Sequence, residues 1–441
     1  MRSILIALVL AAAAGGCLSA QPVQTRGTQP YPPLLSYARA GILIDQATGR
    51  VLYQYNADQA FVPASLAKLM TLHIVLRMLD ERTIRRTDVV WLSANAWATH
   101  QVPGSTVMHL EPGQIVTVEE LMKGIAVASG NDAANALAEY AAGSTAEFVR
   151  WMNEEARFLG YSTMHFTDPA GALEGNSVTA REFADFCRRY ITLHPDALEE
   201  LHSVREFEYP LPQNMPDGRL PEIPVKKQYN ANNLVWWGVG VDGLKTGRMD
   251  DENFTAAITA RQGSTRVIAV LLGVSGLTLQ EGMMKRARDA LALLSYGFRT
   301  YSTLSLETPS LPPVRVWKGT MRQVAVVPAH PVELTARTDE LAALTYSVLS
   351  RSALVAPVFK GQAVGELVYS APTGEVARIP LLATGNVDAA GFLRRAWDTV
   401  VLGLFDVVEN AVAFVHGTLD TFHRTAVVSA ESSDPLKRRT Q

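Results

Sequence analysis

Strand-forming runs stand at both ends of a long helical stretch, and few folds accommodate that order. Ala40-Gly41-Ile42-Leu43-Ile44-Asp45 reads as a strand ending in the turn Gln46-Ala47-Thr48-Gly49, with Val51 to Tyr55 as its hairpin partner. Val239 to Leu244, Phe254 to Ala260 and Arg266 to Val274 read the same way, the last two joined across Gln262-Gly263-Ser264. Between these groups the apolar period is helical. Leu66, Leu69, Met70, Ile74, Val75 and Met78 follow Pro63-Ala64-Ser65 at helical spacing, and helical patterns dominate from Val116 to Phe186. A further helix is expected from about Leu279 to Tyr296. Strands at both ends with helices between them predict an antiparallel sheet carrying helices, an α+β arrangement.

At 441 residues the chain is too long for one ordinary domain. Composition shifts near Pro309 to Pro313. Beyond it Val314 to Trp317, Gln323 to Val327, Val332 to Ala336, Ala342 to Val348 and Gly365 to Tyr369 are short strand-like runs separated by Pro and Gly, a small all-β module. From Asp388 a broad apolar stripe (Phe392, Leu393, Trp397, Val400, Leu404, Val408) faces Arg395, Asp398, Asp406 and Glu409, an amphipathic helix too often interrupted by charge to span a bilayer. At the other end Arg2, the apolar run Ile4 to Ala14 and Leu18-Ser19-Ala20 have the pattern of an export signal. Ala14-Gly15-Gly16-Cys17 offers an alternative, a lipoprotein box that would leave Cys17 lipidated. After ordinary cleavage Cys187 stands alone, so the exported chain is expected to rely on its core and not on a disulfide. The expected organisation is a signal peptide over 1–20, a linker over 21–33, a first domain over 34–306, a β-rich domain over 307–386, an amphipathic helix over 387–427 and a disordered tail over 428–441.

A net charge of −3 gives no electrostatic case for nucleic-acid binding. The sequence has no zinc-type Cys/His cluster and no Gly-rich phosphate loop, so neither a metal nor a cofactor is expected. Three short segments carry the chemistry. In Ser65-Leu66-Ala67-Lys68 the two functional residues are three apart on a helix face, where a buried amine can take the proton that keeps a serine hydroxyl a poor nucleophile. Ser129-Gly130-Asn131 follows the helical segment Leu121 to Ala128 at a glycine break; Ser129 can relay a proton and Asn131 can hold a substrate amide. Ser93-Ala94-Asn95 matches it as letters but reads as an ordinary helix cap. Lys245-Thr246-Gly247 ends a strand, where Lys245 and Thr246 can bind a terminal carboxylate and Gly247 lets a substrate backbone approach. Singly, each has a bland reading as a cap or a solvated strand end. In this order they form the triple of class A β-lactamases and penicillin-binding proteins.

With their neighbours these segments resemble the low-molecular-mass penicillin-binding proteins, specifically the D-alanyl-D-alanine carboxypeptidases of peptidase family S11. The likeness is carried by Pro63-Ala64-Ser65-Leu66-Ala67-Lys68-Leu69-Met70-Thr71, by Ser129-Gly130-Asn131-Asp132-Ala133-Ala134 and by His165-Phe166-Thr167-Asp168-Pro169-Ala170-Gly171, and it covers about residues 35 to 300. The β module, with Phe359-Lys360-Gly361-Gln362-Ala363-Val364-Gly365-Glu366-Leu367, and the terminal helix match the family's architecture. The resemblance implies a β-lactamase/transpeptidase-like domain in which Lys68 deprotonates Ser65 for attack on the peptide bond between two D-alanines of a peptidoglycan stem. Backbone N–H groups of Ser65 and Arg248 would form the oxyanion hole, Lys245 and Thr246 would take the departing carboxylate, and Ser129 would pass a proton to the leaving amine. β-Lactams would stall at the acyl stage. It further implies a periplasmic enzyme whose terminal helix lies on the outer leaflet of the inner membrane, with self-association, a homodimer for instance, as the alternative use of that helix.

Two positions depart from the family pattern: Arg248, where well-studied members often have His, and Ala231, where relatives can carry Arg. Arg248 is expected to supply the charge absent from position 231. The rival readings are a DD-endopeptidase, a β-lactamase, which Gly130 in the middle motif disfavours, and a non-catalytic wall scaffold or β-lactam sensor, which the Ser-Lys pair argues against.

Overall fold

The computed structural model describes residues 31–215, 224–350 and 354–404. The expected export signal, Cys17 and everything after Leu404 lie outside the described residues. Strands β1 (Ala40–Asp45), β2 (Val51–Tyr55), β3 (Val241–Arg248), β4 (Phe254–Gln262) and β5 (Thr265–Val274) form an antiparallel sheet in the order β2-β1-β5-β4-β3. The early and late strands therefore share one sheet, with Ile42 opposite Val270.

The apolar character of β5 explains why this pairing is stable. Ile268, Val270 and Leu272 pack into one core, while Val267, Ala269 and Leu271 pack into a second core on the opposite face. A strand buried on both faces gains from every side chain, so its sequence is continuously apolar and does not alternate. Helix α6 (Leu279–Thr300) covers the second face with Ala287, Ala290, Leu293 and Leu294. The first face carries α1 (Lys68–Asp80), α2 (Val118–Lys123), α3 (Asn131–Ala142), α4 (Thr145–Phe158) and α5 (Ala180–Leu193). Side-chain caps start most of these: Thr117 in a capping box with Glu120, Ser144 on α4, Thr179 on α5 and Thr278 on α6. Each cap stabilises its helix by about 1 kcal/mol. Helices α1 and α3 have no side-chain cap, and a 3₁₀ turn over Ala64–Ala67 leads into α1. The helix expected to open at Ser65 thus begins at Lys68, with Ser65 in the tighter turn.

In the β module, β6 (Val326–Pro328), β7 (Thr345–Ser350), β8 (Ala363–Ala371) and β9 (Gly374–Ala383) form a sheet in the order β6-β9-β8-β7. Strand β9 was not legible as a run, because Glu375, Arg378 and Pro380 interrupt it; Val376, Ile379, Leu381 and Ala383 are nonetheless buried. The run expected over Ala342 to Val348 divides into a 3₁₀ turn, Leu341–Ala343, and β7. A helix follows over 392–404, with Phe392, Leu393, Trp397, Val400 and Leu404 exposed and the Asp398 carboxylate accepting the Lys318 N–H at 2.6 Å. Among the described residues no helix is long and apolar enough to cross a membrane.

Candidate active site

The turn bearing Ser65 is clamped from three sides. Strand β4 ties down the chain before it: the Thr255 hydroxyl donates to the Pro63 carbonyl at 2.9 Å and the Asn253 amide to the Val62 carbonyl at 3.2 Å. Ala64 then adopts φ of +52°, left-handed backbone that costs a residue with a Cβ about 1–2 kcal/mol. On the second side Gly171, at φ of +68°, lies so close that a methyl there would overlap the Ala64 carbonyl. On the third, a Cβ at Gly247 would sit 2.5 Å from Thr255 Oγ1 and 2.9 Å from the Ser65 nitrogen. Glycine at both positions is therefore what lets strand β3 and the 168–173 turn close on Ser65.

Lys68 is fully buried beneath this turn. Its Nζ lies 3.0 Å from Ser65 Oγ, 2.7 Å from Asn131 Oδ1 and 2.8 Å from the Ala170 carbonyl. Burial lowers its pKa to about 7, against the opposing pull of Asp168 and Asp132. A neutral amine has two N–H bonds and one lone pair. Asn131 Oδ1 and the Ala170 carbonyl can only accept, so they consume the two N–H bonds. The remaining partner, the Ser65 hydroxyl, can donate into the lone pair. The arrangement therefore suits an amine that takes a proton from serine.

Two buried carboxylates shape the loops around this amine. Asp168 accepts from the backbone N–H groups of Ala170, Ala172 and Leu173 and from the Asn176 amide, which folds the turn so that the Ala170 carbonyl points at Lys68. Asp132 accepts from Met108, Leu110 and Ala133, and burial raises its pKa in spite of these bonds. Ser129 stands at φ of +60°, after a π-type turn over Gly124–Ala128 and before Gly130, where a Cβ would meet Asp132 Oδ1 at 2.7 Å. Asn131 opens α3, and its N–H bonds the Thr106 carbonyl at 2.9 Å. The look-alike Ser93 is a cap: it accepts the Asn95 N–H at 3.1 Å and donates to Glu139 at 2.5 Å.

Strand β3 is the sheet edge on the other side of Ser65, with Lys245 and Thr246 both buried. Lys245 Nζ donates to the Thr246 carbonyl at 2.9 Å, and the Thr246 hydroxyl to the Ala231 carbonyl at 3.1 Å. Burial first, then the nearby charges of Lys68 and Arg286, hold Lys245 well below the ordinary lysine range. Lys68 is thus among the charges that disfavour a proton on Lys245. Arg248 ends β3 with its guanidinium paired to Asp251 at 2.7 Å and lying over the Phe254 ring.

Two residues that sequence reasoning missed support β3 from behind. Arg286, buried in α6 with its pKa lowered to about 10 by desolvation, donates to the carbonyls of Gly247 and Thr255. His202, held neutral with a pKa of about 3 by burial, bonds the Leu244 carbonyl through Nδ1 and Tyr190 through Nε2. A carbonyl only accepts, so Nδ1 carries the hydrogen and Nε2 accepts from the tyrosine hydroxyl. Neither belongs to a recognisable spacing. Their only signal was a charged residue on the apolar face of a helix.

A serine hydrogen-bonded to a desolvated lysine, beside a strand edge that carries a second buried lysine, is the arrangement of a serine acyl-transfer enzyme. The family model for D-alanyl-D-alanine carboxypeptidase matches residues 27–276, and that for the C-terminal domain of penicillin-binding protein 5 matches residues 309–389. The chain is 34% identical over 376 residues to D-alanyl-D-alanine carboxypeptidase DacC of Escherichia coli, covering 83% of this chain and 88% of the relative. It is 31% identical over 362 residues to the carboxypeptidase DacF of Bacillus subtilis, covering 81% and 87%. Penicillin-binding protein 5 of Haemophilus influenzae superposes with a TM-score of 0.71 at 28% identity, covering 82% of this chain and all of that one. The chain belongs to the D-alanyl-D-alanine carboxypeptidase family, S11, and is a serine-type D-alanyl-D-alanine carboxypeptidase.

Proposed function

We propose that Ser65 is the nucleophile, Lys68 its base and Ser129 the proton relay of an enzyme that removes the terminal D-alanine from peptidoglycan stem pentapeptides. The observation that carries this reading is the buried Lys68 amine, with a pKa of about 7, at 3.0 Å from Ser65 Oγ. Lys68 takes the Ser65 proton as Oγ bonds to the carbonyl carbon of the penultimate D-alanine. The resulting oxyanion is held by the N–H groups of Ser65 and Arg248. Collapse breaks the C–N bond, and the proton on Lys68 passes through the Ser129 hydroxyl to the departing amine. Water then adds to the ester carbon as Lys68, neutral again, takes its proton; the bond from the ester carbon to Ser65 Oγ breaks, and Lys68 returns the proton to Ser65. Asn131 holds the amide on the acyl side, while Lys245, Thr246 and the open backbone at Gly247 receive the leaving residue and its carboxylate.

β-Lactams, as cyclic acyl donors, acylate the same serine. Mass spectrometry of the penicillin-treated protein tests the nucleophile: an adduct on the peptide bearing Ser65, absent from Ser65→Ala, is expected, and an adduct elsewhere refutes it. D-Alanine release from a free pentapeptide, against cleavage of a crosslinked dimer, separates carboxypeptidase from endopeptidase action.

The same reading extends to the domains and the location. Residues 34–306 are the catalytic domain and 307–386 the β-rich domain, and the helix that begins at residue 392 holds the exported enzyme on the periplasmic face of the inner membrane. The exposed apolar residues Phe392, Leu393, Trp397, Val400 and Leu404 support the last assignment. Removing the chain after Asn386 should move the protein out of the membrane fraction; a truncated form that stays there would contradict the assignment, and a loss of dimer mass instead would point to self-association.

A further inference from the structure

One line of titratable side chains inside the first core takes no part in the proposed reaction. His73, on the same helix as Lys68, is buried at 1% exposure. Its Nε2 lies 3.1 Å from Glu155 Oε1 on α4, and its Nδ1 lies 3.0 Å from Nε2 of His194, the residue that ends α5. The other nitrogen of His194, Nδ1, faces the Asp80 carboxylate at 3.5 Å. Arg77 holds the second Glu155 oxygen at 2.6 Å and also bonds Glu81. Phe186 and Tyr190 of α5 pack on the His73 ring at centroid distances of 5.7 and 6.5 Å, and the Tyr190 hydroxyl is engaged by His202. The line Glu155, His73, His194, Asp80 therefore joins α4, α1 and the end of α5.

Counting hydrogens along this line fixes its protonation. His73 and then Arg77 hold the Glu155 carboxyl below its ordinary range, so it is ionised and only accepts, and His73 Nε2 carries a hydrogen. A neutral His73 then has a bare Nδ1, which must accept from His194 Nε2. That leaves His194 Nδ1 bare, with its lone pair aimed at the Asp80 carboxylate. One added proton removes the conflict. His73 donates from both nitrogens, His194 accepts at Nε2 and presents an N–H to Asp80, and a cation stands between the two carboxylates. A second proton would force two hydrogens into the 3.0 Å gap between the rings. In keeping with this, burial and then the charges of His73 and Arg77 lower the pKa of His194 to about 4.

We propose that His73 and His194 are one proton-binding site that acts as a latch: with a single proton it ties α1, the helix that begins at Lys68, to α4 and α5, and a second proton parts the rings and frees α1. For an enzyme placed outside the cytoplasm, as proposed above, the seating of α1 then responds to the acidity of the medium. The latch does not depend on Lys68 being the base, and its tests do not read catalysis, so a failure of either assignment leaves the other standing.

The test compares the full-length protein with His194→Gln, whose amide oxygen can still accept from His73 but takes no proton, and with His73→Gln, which leaves His194 free to carry a proton beside Asp80. The unfolded chain binds a proton at His194 that the folded chain refuses, so stability is lost as pH falls from about 6.5 to about 4. In urea unfolding across that window, the folded-to-unfolded ratio of the wild type should fall by about a further tenfold per pH unit relative to either variant. A uniform loss of stability in a variant displaces the curve without changing its slope, so a merely structural role is told apart. The double variant should show the same slope as the single ones, because the two rings are one site. Hydrogen exchange of the α1 amides, corrected for its intrinsic pH dependence, should report opening that grows by up to about tenfold per pH unit in the wild type and stays level in His194→Gln. Equal slopes in wild type and variants, slope changes that add in the double variant, or α1 protection that ignores pH would overturn the latch.

Discussion

Lys68 and Lys245 are buried alike, at 0% and 1% exposure, yet their amines are furnished in opposite ways. Lys68 has a complete set of partners in the free enzyme: two acceptors for its N–H bonds and a hydroxyl for its lone pair. Lys245 Nζ has a single hydrogen-bond partner among the described residues, the carbonyl of the adjacent Thr246. Both amines are pushed toward neutrality by burial, and the charge of Lys68 adds to the cost of charging Lys245. The contrast teaches that the Lys68 amine is fully furnished by the protein and the Lys245 amine is not, so on the proposed reading substrate would complete the second end. A carboxylate docking on Lys245 would restore the proton that burial disfavours. The resulting cation would then hold Lys68 neutral, as its role requires.

Breaking the finished end should have the largest effect. Lys68→Met should slow penicillin acylation by about 10⁴-fold or more while leaving the melting transition cooperative, because serine then lacks a base. Gly171→Ala attacks the same end through the backbone. The methyl must displace the Ala64 carbonyl, and a shift of the nucleophile by even about 1 Å should cost about 10²-fold in kcat/KM. A loss of stability of about 2 kcal/mol should accompany it in urea melts. At the unfinished end, Lys245→Met should raise KM for D-Ala-D-Ala peptides by about 30-fold, with a much smaller effect on a substrate lacking the terminal carboxylate. Equal losses on both substrates would erase the contrast between the two lysines.

The pH dependence of KM sharpens the comparison. Because the pKa of Lys245 is depressed, it loses its proton earlier than an ordinary lysine as pH rises, so KM for carboxylate-bearing peptides should climb on the alkaline side. The smallest effect is expected from Arg248→Ala. That guanidinium is engaged with exposed Asp251, and exchanging such a surface pair for a substrate carboxylate should alter KM only about threefold. An unchanged KM would remove Arg248 from the binding of the leaving residue and leave it with the backbone N–H alone.

The sheet was legible because β1 and β5 are apolar on both faces, and the order of strands and helices was enough to predict the α+β class. The three segments around Ser65, Ser129 and Lys245 could be found because their chemistry needs side chains at fixed spacings. What surrounds them could not. Gly247 was picked out, but for the approach of a substrate and not for its own closeness to Ser65; Gly171, Asp132 and Asp168 stood in the stretches that carried the resemblance with no role attached, and His202 and Arg286 act on carbonyls that every residue possesses. No spacing betrays such contacts. The hairpin pairing Glu206–Tyr209 with Lys226–Tyr229 escaped notice because its charged residues conceal the strand period.

The pH profile of the second-order rate of acylation by penicillin addresses the state of the Lys68 amine with no confounding product release. The rate should rise about tenfold per pH unit from acid solution, bend near pH 7 and level off above it, following the free amine. A rate that is flat across this range, or that bends only near the ordinary lysine pKa of about 10.4, would mean that Lys68 is not the neutral base of Ser65.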